Sequence, residues 1–196
     1  MMITTQLPGF ENLTRDSQKT FRSLLEALST PGQFLKIDVP LQVPTDLSTA
    51  CGAACLTLMD LEANVWLQPG FPTAVQDWLR FHTGCLFVEN PSEATFAVVN
   101  NIDTLTLEQF CWGSAETPES STTLLVQLET LHDSRPVTIS GPGIFQQATI
   151  SPNLPQQFWE QWQHNHAAYP QGIDVFLFAG QAVMGLPRTV RIQAEG

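Results

Sequence analysis

Two stretches of this chain bring together side chains able to do chemistry. Trp78-Leu79-Arg80-Phe81-His82-Thr83 sets a guanidinium and an imidazole near the end of a helical segment. Arg80 there can grip a phosphate or carboxylate through two parallel hydrogen bonds, and His82 can move a proton near neutral pH. A structural role accounts for both equally well. A cation near a helix C-terminus is favoured by the helix dipole, and Arg80 has many acids to pair with. Further on, Pro170-Gln171-Gly172-Ile173-Asp174 and Pro187-Arg188 put a carboxylate and a second guanidinium at strand ends. Asp174 and Arg188 either line a cleft or pair with each other, and their spacing leaves both open.

The other candidates carry less. Cys51 and Cys55 are four apart on a helical segment, so their sulfurs face one way. Two ligands do not make a zinc site, and no other pair has zinc-like spacing. They are expected as small core residues. His164 and His166 point about 200° apart on a helix, which rules out chelating one metal and suggests one interior and one exposed histidine. Gly141-Pro142-Gly143 follows a strand and offers backbone amides to an anion. It lacks the lysine and the length of a P-loop, and a plain turn is expected. Lys19 and Lys36 are the only lysines. No Ser-His-Asp or Cys-His set has a local signature, so residue types assign no catalytic group and no metal.

These residues need a scaffold, and the sequence describes one. Phe21, Leu24, Leu25 and Leu28 recur at helical spacing in a helix over 14–29, with Lys19, Arg22 and Glu26 opposite. Thr30-Pro31-Gly32 stops it. A short strand is expected over 33–39. A helix over 46–59 is apolar nearly all round, which predicts burial. Strands are expected over 64–67 and 95–99, a helix over 73–82 ending at Gly84, and a short helix over 106–111. The β-branched run 122–128 reads as an interior strand, with another at 136–140. A helix over 155–167 carries Phe158, Trp159 and Trp162 on one face. Strands at 173–178, 183–186 and 189–193 are close enough for hairpins. Together these give an α/β fold, a single-domain mixed β-sheet covered by helices. Residues 1–12 read as an N-terminal arm and 13–196 as one domain.

Composition narrows the partners. The 196 residues carry 8 basic and 19 acidic side chains, a net charge of −11. So acidic a chain repels nucleic acid and anionic membrane, though a local basic site can still bind a small anion. Only 14% of residues are charged against 43% hydrophobic, well below the usual charged quarter. Part of the surface is therefore expected to lie against other protein. Four scattered cysteines suit a reducing compartment. The N-terminus shows no signal-peptide pattern, and the longest apolar run, 175–186, is too short to span a bilayer. A soluble, cytoplasmic protein is expected.

Several of these segments, taken in order, resemble one family. They are Phe21-Arg22 with Pro31-Gly32, Val65-Trp66-Leu67, Leu79-Arg80-Phe81-His82-Thr83, Ala94-Thr95-Phe96-Ala97-Val98, Pro118-Glu119, Thr123 to Leu128, Thr138 to Ile144, Pro170 to Asp174, and Leu186-Pro187-Arg188-Thr189. The chain resembles the PhnH family, the H subunit of the carbon–phosphorus lyase system of phosphonate breakdown, over residues 13–192. It departs from the expected pattern at Gln171, where an apolar residue is anticipated.

The resemblance implies a fold similar to the large domain of pyridoxal-phosphate-dependent transferases, without the cofactor. It implies a homodimer that joins the G, I and J subunits. That complex, alpha-D-ribose 1-methylphosphonate 5-triphosphate synthase, transfers an alkylphosphonate to C1 of the ribose of ATP and releases adenine. This chain would be a non-catalytic subunit required for that step, with no activity of its own. Two alternatives stand beside it. In one, the chain is a ligand-binding or catalytic subunit, with Arg80, His82, Asp174 and Arg188 binding a phosphorylated or phosphonate substrate and transferring a proton. In the other, the matching motifs are structural turns and the tryptophan-bearing faces meet partners.

Overall fold

The structure, a computed structural model, describes residues 7–132 and 134–193. Residues 1–6, half of the expected arm and most of the stretch weighed for a signal peptide, lie outside those residues. Among the described residues four α-helices form: α1 (Leu13–Ser29), α2 (Thr49–Leu58), α3 (Thr73–Thr83) and α4 (Gln156–Ala167). Ten strands accompany them: β1 (Leu35–Lys36), β2 (Asn64–Leu67), β3 (Leu86–Phe87), β4 (Phe96–Val99), β5 (Thr123–Gln127), β6 (Val137–Ser140), β7 (Ala148–Ile150), β8 (Asp174–Ala179), β9 (Ala182–Leu186) and β10 (Arg191–Ile192).

A seven-stranded sheet runs β1-β9-β8-β5-β4-β2-β3. From β3 to β8 the strands are parallel, while β9 and β1 finish one edge antiparallel. Its interior strands are apolar on both faces, as a sheet covered on both sides must be. Side chains alternate between two cores. Val65, Val98, Leu125, Phe176 and Phe178 face α1, α2 and α3. Trp66, Ala97, Leu124, Val126, Val175 and Leu177 face the other way, toward α4 and a small second sheet. Both edge strands are short, and β1 carries exposed Lys36, two devices that discourage edge-to-edge pairing.

The mixed sheet and its helical cover are as expected; β3 and β7 are not anticipated, the strand expected over 33–39 shortens to β1, and four further details differ. First, α1 buries Asp16, Thr20, Leu24 and Ala27, whereas Phe21 is 46% exposed and Leu25 53%. The helix is rotated because it lies backbone-close on β9. A Cβ at Gly185 would run into the Ala27 carbonyl, so the helix and strand cross with small residues at that contact. Second, α2 starts at Thr49, capped by the Ser48 hydroxyl, because Asp46 takes a left-handed φ of 71°. Third, the expected helix near 106–111 is one 3₁₀ turn, Leu107–Gln109.

Fourth, the last hairpin does not form. β8 and β9 pair as expected, but β10 leaves the main sheet and joins a three-stranded sheet ordered β10-β6-β7. Pro187 has no N–H to give a ladder, and the Val190 amide bonds back to the Pro187 carbonyl, turning the chain away. The Gly141-Pro142-Gly143 turn closes onto this segment. Gly141 has a φ of 142°, and a Cβ there would stand 2.9 Å from the Thr189 carbonyl oxygen.

Candidate functional site

Asp174 and Arg188 meet. Asp174 opens β8 and Arg188 follows β9, and the β8–β9 register Val175↔Leu186 brings those two ends together. The Arg188 amide donates to Asp174 Oδ1 at 2.8 Å, and its Nη2 donates to Oδ2 at 2.6 Å. Nε donates to both carboxylate oxygens at 3.2 Å. Nη2 also donates to the Ser121 hydroxyl at 2.6 Å. Nη1 donates to the Pro118 carbonyl at 3.0 Å and the Pro170 carbonyl at 3.2 Å. A guanidinium has five N–H donors, and these bonds occupy every one. The pair is largely buried, with side chains 12% and 24% exposed.

This node accounts for three members of the ordered motif set. Pro118-Glu119, Pro170 to Asp174 and Leu186 to Thr189 are far apart in sequence, and one guanidinium ties them together. The turn before Asp174 is held as tightly. Buried Asn165 on α4 bonds the Ile173 amide at 2.8 Å and its carbonyl at 3.0 Å. A Cβ at Gly172 would come 2.7 Å from the Asn165 side-chain oxygen. At the departure, Gln171, the amide nitrogen donates to the Gly113 carbonyl at 3.0 Å. The polar side chain is satisfied in place.

Arg80 and His82 lie elsewhere. The pairs Asp174↔Thr123, Thr123↔Phe96, Phe96↔Val65 and Val65↔Phe87 form one row across the sheet. Arg80 stacks over Phe87 at 5.2 Å from the ring centre. Four interstrand steps put it roughly 19 Å from Asp174, so the four candidates do not share one cleft. Gly84 ends α3 in the left-handed conformation, as the sequence indicates. His82 Nε2 donates to the Leu7 carbonyl at 2.9 Å, and Trp78 Nε1 donates to the same oxygen at 3.1 Å. Gly9 closes over the imidazole, leaving no room for a Cβ beside Nδ1. These two residues therefore seat the described part of the N-terminal arm on α3.

The remaining candidates sort themselves by position. Cys51, Cys55 and Cys85 are buried free thiols. A hydrogen bond with the Cys51 thiol, followed by burial, holds Cys55 well above the ordinary thiol range. Burial raises Cys85. Among the described residues no group of three or more His, Cys, Asp or Glu could hold a metal ion. Lys36 is exposed and pairs with Asp38 at 2.8 Å, while Lys19 is exposed on α1. His164 is exposed, and half-buried His166 bonds the Arg188 carbonyl through Nδ1. Arg191, passed over in the sequence, donates from Nε to His166 Nε2 at 3.0 Å. Its signal was available, as a cation two residues after Thr189 in the matched C-terminal stretch.

The fold and its polar nodes define a layered α/β domain whose most distinctive residues, Asn165, Asp174 and Arg188, lock loops together. Within that class the chain belongs to the PhnH family. The family model described as bacterial phosphonate metabolism protein (PhnH) matches residues 8–193. A Rhizobium meliloti (strain 1021) protein named alpha-D-ribose 1-methylphosphonate 5-triphosphate synthase subunit PhnH is 36% identical over 190 residues, 95% of each chain. A Stutzerimonas stutzeri protein named putative C-P lyase subunit protein HtxG is 27% identical over 180 residues, covering 91% of this chain and 87% of that one.

Proposed function

We propose that this chain is a non-catalytic subunit of the synthase that transfers an alkylphosphonate to C1 of the ribose of ATP, releasing adenine, in phosphonate catabolism. The observation that carries the reading is Arg188. Of the two candidate guanidiniums, the one at the strand ends spends every N–H donor on this protein's own loops. The likeness over 95% of the length of a protein named as a subunit of that synthase supports it further. Both lysines are exposed and lie on α1 and β1, so neither is enclosed as a Schiff-base lysine would be.

Partner contact also has support. Phe21 and Leu25 are four apart on the outer face of α1, and Leu13 extends that apolar stripe. At the opposite edge of the sheet, Leu61 and Leu86 are exposed around Gly84, with exposed Phe81 on α3. We propose a cytoplasmic homodimer that docks on the G, I and J subunits through such faces, with residues 13–196 as one domain. Arg80 and His82 serve in this reading to hold β3 and the arm. The test is co-expression of this chain with those subunits. It should co-purify with them, and a Phe21→Asp, Leu25→Asp variant that keeps its melting temperature should dissociate from a second copy or from the complex. A chain that elutes alone and monomeric in every combination refutes the proposal.

A further inference from the structure

A cavity of about 600 Å³ opens between the end of β6, the end of α4 and the segment entering β10, where Ser140, Gly141, His166, Tyr169, Thr189 and Arg191 line it. That volume lies in the range of small-molecule sites. The chain carries 19 acidic side chains, yet none lines this cavity. Its one fixed charge is the Arg191 guanidinium. Among the described residues Arg191 makes no ion pair with a carboxylate, and only Nε is engaged.

That engagement has a consequence. A carbonyl oxygen only accepts, so His166 must donate from Nδ1 to Arg188 and present Nε2 as an acceptor. Nε2 receives the Arg191 Nε–H. A neutral acceptor therefore orients the guanidinium without cancelling its charge, and both terminal nitrogens are left to form a two-pronged donor. Arg188, three residues earlier, is the contrast, neutralised by Asp174 with no donor spare. The hydroxyls of Ser140, Thr189 and Tyr169 add donors around the same space, and the Tyr169 ring and Pro142 give it an apolar wall.

We infer that this cavity binds a tetrahedral phosphoryl or phosphonyl anion, with Arg191 as its anchor and His166 as a positioning residue. The inference gives the chain a ligand of its own. It rests on the proposed function only for the choice of probes.

The test uses the purified full-length chain, titrated by calorimetry and by ³¹P NMR with inorganic phosphate, methylphosphonate and ATP. At least one should saturate, and Arg191→Gln should weaken it by about tenfold or more, the worth of one charge-assisted pair of bonds. Arg80→Gln, on the far side of the sheet, should leave it unchanged. Whichever probe saturates shows whether the bare anion, the phosphonate or the nucleotide is the source. If Arg191→Gln does not fold, Arg191→Lys keeps the charge, loses the fork and should still weaken binding. No saturable binding of any probe, or binding equal in the wild-type protein and the folded Arg191→Gln or Arg191→Lys variant, overturns the inference. Such a result leaves subunit assembly, read separately by co-purification, where it stood.

Discussion

Arg188→Ala is the sharpest perturbation of the fold that the structure offers. It removes the ion pair to Asp174, the bond to Ser121 and two bonds to the Pro118 and Pro170 carbonyls. Asp174 is left three-quarters buried, with only the residue 188 amide still donating to it. Breaking a buried pair by deleting one partner costs about 3–5 kcal/mol. The Asp174 side chain retains some water, which places the cost near the lower end, about 3 kcal/mol. For a domain of this size each kcal/mol lowers the melting temperature by roughly 2–4 °C, so a fall of about 6–12 °C is expected by scanning calorimetry. Asp174→Ala should cost a similar amount, and the double variant little more than either single one, a coupling of about 2–3 kcal/mol. Arg188→Lys should recover little, since an ammonium cannot reproduce the fork. A melting temperature within about 2 °C of wild type for Arg188→Ala, with complex activity lost, would show that Arg188 is spare for a ligand and refute the clamp.

Other consequences follow from single contacts. Gly185→Ala sets a methyl against the Ala27 carbonyl of α1, and chemical denaturation should show a loss of about 1–3 kcal/mol from overpacking. His82→Ala removes one of two bonds to the Leu7 carbonyl; a stability change of about 1 kcal/mol should accompany faster proteolysis within residues 7–12. Cys55 and Cys85 ionise above the ordinary thiol value of 9.0. At pH 8 both should therefore resist alkylation in the folded chain, with half-buried Cys111 labelled first. A raised folded value also means that the unfolded chain gives up its thiol protons first, so stability should fall as pH rises past about 9.

Much of the fold was legible in the sequence, and the losses have physical causes. β5 and α2 were plain because both are apolar on every side, a pattern that only burial explains. The rotation of α1 was hidden because periodicity marks apolar residues, while the buried stripe includes polar Asp16 and Thr20 and is set by the close Ala27–Gly185 crossing. β10 was misplaced because spacing suggests a hairpin and cannot show that Pro187 and the Arg188 clamp turn the chain aside. Of the candidate site, the ordered motifs were visible, and so was the open choice between a cleft and an Asp174–Arg188 pair. Their meeting at one guanidinium was not, since it depends on strand register. The separation of roughly 19 Å between that node and Arg80 is likewise a property of sheet order, which no local pattern encodes.

The central claim is that this polypeptide lends shape and contact area to a larger machine and makes or breaks no bond itself. Adenine release from ATP in the presence of methylphosphonate measures it most directly, comparing the G, I and J subunits with and without this chain, and this chain alone. The account expects release only when all are combined, with wild-type rates retained in Arg80→Ala once assembly is confirmed. Release by the chain alone, or an undiminished rate in its absence, would contradict it.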